Sequence, residues 1–495
     1  FVDSASVKNE DIVYVPIINS RSVRGIGLYQ SSNDAILEFN YHLNYYGIVK
    51  TLGNSKLRFV ENKGSLTFKN FSYSRNLVVA AISTSTKISY QNVFQESDIT
   101  ITNLTNAVTG QTNSPCIKVA GFAPLLLDES VVDPVTGLTS YVYIKDSYNK
   151  GKIIVGDINN NYGNIYVAGL VNENAAGNLH EQDASSTPHA TYGIIDSINY
   201  GDITSTYQTG ASPKYGIHGL GNVYVGGLVT NNRFSIQDSI NHGNVTFYND
   251  NASASATFES DSSGYYAGRI QSYSGGVIVG GIAAFVSSED SRIYDTSNSG
   301  EIIGVNKAFA RAGGIVAVAL AQELIAGNVQ NFTLTMTSTT DVSSSRILNG
   351  INYCKVIALT SIISQYDDST SVTPHARLYF YPNGSTYYAT YNHPVTTKAS
   401  GERPGINASA GGVIGYGLSE MRRMINHGEV ISTDVAGGVV GATFVFKKVP
   451  DSSERYPKIY VKIDTLVNYG EVRAFRASNY ANFDKITFNT TNLNS

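Results

Sequence analysis

The chain is 495 residues long, with 46 Gly, 34 Tyr, no Trp, three Met, two Cys and only 15% charged residues. Globular domains carry about 25% Asp, Glu, Lys and Arg, so this surface is solvated by Asn, Ser, Thr and Tyr, as in many extracellular proteins. A net charge of −4 gives no electrostatic footprint for nucleic acid or an anionic membrane, and a 42% hydrophobic content is enough for a large core.

Cys116 and Cys354 are too few and too far apart for a disulfide-dense scaffold or a cysteine metal knuckle. The longest nearly uncharged apolar stretch, Gly275 to Val286, falls well short of the roughly 20 residues of a membrane-spanning helix; no membrane insertion is expected of this segment. The chain begins at Phe1 without a charged-then-apolar leader, so it reads as a piece of a longer precursor.

Residues 1–115 are strand-like but carry the later repeat only weakly, at Asn62-Lys-Gly64-Ser-Leu66 and Val78-Val-Ala-Ala-Ile82. They read as a strand-rich N-terminal region of capping or degenerate coils, because terminal coils must close an adhesive edge. Residues 116–476 are organised by two alternating motifs. The first is Asn-x-Gly-x-(Ile/Val/Leu), seen at Asp146-Ser-Tyr-Asn149-Lys-Gly151-Lys-Ile153 and again around Asn199, Asn241, Asn298, Asn426 and Asn468. At Asn352-Tyr-Cys354 a cysteine stands in the glycine slot. The second motif is a small-Gly pair before apolar residues: Ala168-Gly-Leu-Val171, Gly226-Gly-Leu-Val229, Gly280-Gly-Ile-Ala283, Gly313-Gly-Ile-Val316, Gly411-Gly-Val-Ile414 and Gly437-Gly-Val-Val440.

Short strands with turn residues at fixed places predict an all-β fold, a β-helix-like β-solenoid of stacked coils with inserted loops and hairpins. Asn149, Asn199, Asn241, Asn298, Asn426 and Asn468 are expected to form a structural ladder, since Asn tolerates a left-handed backbone and its amide can bond the equivalent residue one coil away. The alternation resembles the GLUG-type repeats of large bacterial surface and secreted proteins, over roughly residues 55 to 475. That resemblance implies secretion or attachment to a cell surface, with the solenoid acting as stalk, spacer or adhesive rod. It implies no particular ligand.

The spacing of successive motifs exceeds a bare coil, so loops must leave the stack near 173–192, 247–274, 322–346 and 358–410. Such insertions commonly share one face and carry binding. In the last, Ala376-Arg-Leu-Tyr379-Phe-Tyr381 and Ser385-Thr-Tyr387-Tyr388-Ala-Thr-Tyr391 flank Pro382-Asn383-Gly384, a hairpin signal. Tyr379, Tyr381, Tyr387, Tyr388 and Tyr391 are candidate ligand-binding residues, offering rigid amphipathic area for a glycan or a protein; the plainer reading is that they pack the hairpin on the solenoid wall. Residues 477–495, polar and Asn-rich, read as a C-terminal cap or a linker.

No catalytic motif is complete. His180-Glu181 lacks the second histidine of a zinc-protease helix, and there is no phosphate loop, dinucleotide fingerprint or nucleophile elbow. Asp146, Asp196, Asp238 and Asp295 recur too regularly for a catalytic pair and read as turn residues. His242 and His427 share a slot with Lys150, Tyr200, Ser299 and Tyr469, so they read as solvent-facing rather than as ligands. No metal site and no cofactor are expected. The reading is a non-enzymatic adhesin or stalk on an extracellular surface, whose partner is a glycan, a host or neighbouring surface protein, or a sister chain. The alternatives are a solenoid polysaccharide lyase or glycoside hydrolase, with Asp367, Asp368, His375 and Arg377 as its densest polar group, and a self-assembling filament or sheath subunit.

Overall fold

The computed structural model describes residues 29–33, 37–39, 44–46, 55–84, 86, 88–108, 114–126, 130–132, 139–159, 162–175, 193–205, 207–209, 212–214, 216–249, 255–258, 270–287, 291–319, 345–360, 381–383, 386–390, 407–417, 419–442, 463–474 and 485–489. Their regular structure is all β. One coil runs Tyr143–Lys145 and Tyr148–Asn149 in a first sheet, Ile153–Asn159 in a second, Ile165–Ala168 in a third and Val171–Asn174 in a fourth. It re-enters the first sheet at Gly193–Ile195. Each strand pairs in parallel with its counterpart one coil on, as in Ile165↔Val223 and Asn149↔Asn199. The chain is a β-solenoid. Coils that the motif barely marks belong to the same sheets: Ser55–Asn62 and Ile88–Gln95 stand in the first, Leu66–Tyr73 and Ile99–Asn106 in the second.

Strand alternation sends apolar side chains to opposite faces, and the coil uses both faces of its third and fourth strands. Second-sheet residues such as Ile153 and Val155 and third-sheet residues such as Ile165 and Val167 share one fully buried cluster. First-sheet Ile144 and Ile194, fourth-sheet Val171 and Val229 and corner residues Leu170 and Leu228 share another. A third cluster lies on the remaining faces of the third and fourth strands, with Tyr224, Ile278, Phe285 and Tyr416. Within it Arg311 is fully buried, its guanidinium carbon 4.0 Å from the Phe309 ring centre and 4.8 Å from that of Tyr416, and it donates to the carbonyls of Ala310 and Asn407.

Two corners of the coil are invariant in length and two are not. From the motif Asn to the first residue of the second sheet is always the same short step, as in Asn149 to Ile153, Asn298 to Ile302 and Asn468 to Val472. The turn from third to fourth sheet is equally constant, as in Ala168 to Val171 and Gly411 to Ile414. Excursions leave at the other corners, and one hairpin, Tyr207–Thr209 with Ser212–Lys214, leaves from within a second-sheet strand whose halves Ile203–Thr204 and Ile217–His218 flank it. The corner excursions separate second from third sheet between Asn249 and Val277 and between Thr360 and Ala408, and fourth from first between Asn174 and Gly193 and between Ala319 and Arg346. The excursions therefore depart from two corners and from one second-sheet strand rather than from one face. The sheets also keep Phe247–Asn249, Ala358–Thr360 and Ala408–Ala410, which the sequence reading gave to loops.

The left-handed residue of each coil is not the asparagine. Asp146, Asp196, Asp238 and Asp295 have φ of 51°, 49°, 48° and 51°, and each kinks the first sheet three residues before the motif Asn, which lies in extended strand. The following serine satisfies backbone at the kink: Ser147, Ser197 and Ser239 each donate at 2.7 Å to the carbonyl two residues back.

Candidate functional site: the asparagine corner and its exposed rings

At the corner between first and second sheets the motif asparagines form a continuous ladder. Asn149 Nδ2 donates to Asn199 Oδ1 at 2.7 Å, and the same bond runs from Asn199 to Asn241, Asn298, Asn352, Asn426 and Asn468 at 2.7–2.8 Å. The second proton of each Nδ2 goes to the carbonyl two residues on, that of Gly201 at 2.9 Å or Gly243 at 2.8 Å. Asn149 to Asn426 are fully buried. Amides left unpaired at such depth cost about 1–3 kcal/mol each, so the ladder fixes the register of the stack.

The two sequence motifs meet at this ladder. A Cβ added to Gly227, in the third-to-fourth turn, would stand 2.0 Å from Gly281 O and 2.5 Å from Asn241 Cγ, and Gly281 is related in the same way to Gly314 O and Asn298. The turn of one coil thus caps the asparagine of the next, and only glycine lets the backbone come that close. Nothing in the spacing of the motifs revealed this pairing.

Next to each buried asparagine, the middle residue of the motif points toward solvent, and from Tyr200 onward the ring-bearing ones stack except across Ser299. Tyr200 and His242 have ring centres 5.1 Å apart at 14°, Tyr353 and His427 5.4 Å at 4°, and His427 and Tyr469 5.0 Å at 14°. Tyr200, Tyr353 and Tyr469 keep 43%, 50% and 70% of their surface exposed. Toward the N-terminus Tyr148 lies 4.5 Å from Phe94, stacked, and its hydroxyl donates to Glu96 Oε1 at 2.8 Å, where Lys150 also binds at 3.2 Å. Donation by Tyr148 holds the Glu96 carboxyl below its ordinary range. The slot reads correctly from sequence as solvent-facing, but its stacking does not, because the rings are some 40–75 residues apart in the chain and one coil apart in space.

One titratable group on this corner is out of the ordinary. Burial pushes the Glu301 carboxyl up to about 7, against a weaker opposing pull from Lys355. Its Oε2 is buried without a hydrogen-bond partner. Cys354, in the glycine slot of the next coil, directs Sγ to Ser299 O at 2.9 Å, and burial raises its thiol pKa. Burial likewise raises Cys116. Both cysteines are free, and neither is poised as a thiolate. Among the described residues no group of three or more His, Cys, Asp or Glu side chains could hold a metal ion, and no helix is long and apolar enough to cross a membrane.

The tyrosine hairpin is described only as backbone. Tyr381–Asn383 and Thr386–Thr390 pair antiparallel, with Tyr381 opposite Tyr388 and Pro382 opposite Tyr387, so Pro382 and Asn383 stand in a strand rather than in the turn. Lys485–Asn489 adds a third antiparallel strand, with Tyr387 opposite Phe488, so part of the C-terminal stretch joins the insertion. Tyr379 and Tyr391, and Asp367, Asp368, His375 and Arg377, lie outside the described residues. Comparison of the chain with family models, with curated proteins and with solved structures finds no match.

Proposed function

We propose that the chain is a non-enzymatic surface protein of the extracellular space, a solenoid rod that binds a glycan or a neighbouring protein through its exposed ring-bearing corner and its inserted segments. The observation that carries this reading is a division of labour along the coil: excursions leave elsewhere, while the asparagine corner stays loop-free among the described residues and presents Tyr200, His242, Tyr353, His427 and Tyr469 to solvent. Exposed, pre-ordered aromatic side chains lose little entropy on binding and supply both apolar area and polar edges. The low charge and the likeness to surface-protein repeats agree with it.

The test is binding of the full chain to a broad glycan array and to acidic polysaccharides, beside a copy lacking residues 364–400. Selective retention of a glycan class is the expected result, and its dependence on the deleted segment assigns it to the hairpin or to the rod. Release of shortened or unsaturated sugar products would overturn the non-enzymatic reading. Growth of ordered polymers without any ligand binding would replace it with a filament subunit.

A further inference from the structure

The ring ladder of the asparagine corner has one gap. In the coil Asp295–Gly300 the middle slot is Ser299 where neighbouring coils have His242 and Tyr353. The outward slot before the asparagine is Ser297, paired in register with Ile240 on one side and Ile351 on the other. Two adjacent outward positions thus shrink together in a single coil. The result is a dent one coil wide, with half-buried Ser297 and Ser299 as its floor, Ile240 and His242 as one wall, and Ile351 and Tyr353 as the other.

The walls present ring faces to the dent. The other face of His242 is stacked on Tyr200 and the other face of Tyr353 on His427, and the His242 edge is tied to Ser299 through Nδ1. Strands stack about 4.8 Å apart, which sets residues two coils apart about 9–10 Å from each other. A ring centred in that gap lies about 4.5–5 Å from each wall, beyond the roughly 3.5–4 Å contact of flat rings, so the thickness of a puckered pyranose fills it better than a flat aromatic does. The floor suits a hydroxylated ring: Ser299 Oγ and His242 Nδ1 are 2.5 Å apart and retain further donor and acceptor capacity, and Ser297 adds a second, half-buried hydroxyl.

We propose that this dent binds a single pyranose unit of a glycan, stacked between His242 and Tyr353 and hydrogen-bonded by Ser297 and Ser299. The inference rests on the glycan arm of the reading above and is independent of the tyrosine hairpin. The experiment is titration of the full chain with methyl glycosides and short oligosaccharides of hexoses, hexuronic acids and N-acetylhexosamines, by calorimetry and saturation-transfer NMR. The parent is compared with three variants: Ser297→Ile with Ser299→Tyr, which fills the dent with the residue types of its neighbours; Tyr353→Ala, which removes a wall; and the copy lacking 364–400.

Both dent variants should lose at least about tenfold in affinity, while the hairpin deletion stays within about twofold. Tyr353→Ala keeps the test valid if the filled variant does not fold. Binding that survives filling of the dent but disappears with the hairpin overturns this site and leaves the proposed function standing. Failure of every sugar to bind the parent overturns both the dent and the glycan arm.

Discussion

The coil at Gln95 and the coils from Asn149 onward solve the same corner differently. Gln95 stands in register between Asn62 and Asn149. Its Oε1 accepts from Asn62 at 2.6 Å, but its Nε2 turns back to the Ser97 carbonyl at 2.5 Å. Asn149 Oδ1 is consequently buried with no donor. The third-to-fourth turn that precedes Gln95 carries Ala81, by register the position of Gly121 and Gly169, where glycine caps the next asparagine. Where the turn has a methyl group, the ladder residue is longer and bends aside. The asparagine of one coil and the turn glycine of the one before it are therefore a single structural unit, and they depart from the rule together.

This comparison can be broken most forcefully at the turn. Gly227→Ala places a methyl against Gly281 O and Asn241, and no flexible end can give way; we expect a loss of about 3 kcal/mol in denaturant unfolding. A change of a few tenths would show that the turn and the ladder are not coupled. Asn241→Ala strands Asn199 Nδ2 and Asn298 Oδ1, at about 2–3 kcal/mol. Gln95→Ala forfeits one inter-coil bond and should cost about 1 kcal/mol; equal costs for the two would refute the contrast.

The complementary test is a repair. Ala81→Gly with Gln95→Asn supplies a donor to Asn149 and should stabilise by about 1 kcal/mol, with each single change giving less than half. An additive double-mutant cycle would separate the two positions.

A smaller effect concerns pH. The folded-state pKa of Glu301 is raised to about 7 by burial, so its contribution is fully present below the ordinary carboxyl pKa and fades as pH rises toward 7. Glu301→Gln should match the parent in acid and exceed it at neutral pH and above, read as a thermal midpoint that falls less between pH 4.5 and 7.5. Parallel pH profiles would rule this out. The smallest effect is Tyr469→Ala: with 70% of its surface exposed, it should move stability by no more than about 0.5 kcal/mol.

Much of the fold was legible in the chain. The recurrence of Asn-x-Gly and of small-Gly pairs carried the solenoid, because parallel stacking places like residues on like and repetition of sequence becomes repetition in space. The coils at Asn62 and Gln95 were harder to read, since a shared backbone path does not require a shared motif once the apolar alternation is kept. The site was legible only in part. The solvent-facing slot followed from its mixture of Lys, Tyr, His and Ser, whereas the stacking of Tyr353, His427 and Tyr469 and the dent at Ser297 and Ser299 depend on which coil lies beside which.

The sequence by itself determined the class of fold and six ladder residues, Asn149, Asn199, Asn241, Asn298, Asn426 and Asn468, which are properties of local pattern and period; the structure adds Asn352, Gln95 and Asn62 to that corner. Only the tertiary structure decided that the left-handed kink stands three residues before the ladder residue whatever its type, at Asp146 as at Asn349, Arg423 and Thr465, that each turn glycine caps an asparagine in the following coil, and that excursions spare the asparagine corner. The reason is physical. Steric contact and hydrogen bonding between coils act across about 5 Å in space but across 33 to 74 residues of chain, and coil lengths that vary from one turn to the next hide that adjacency until the strands are paired.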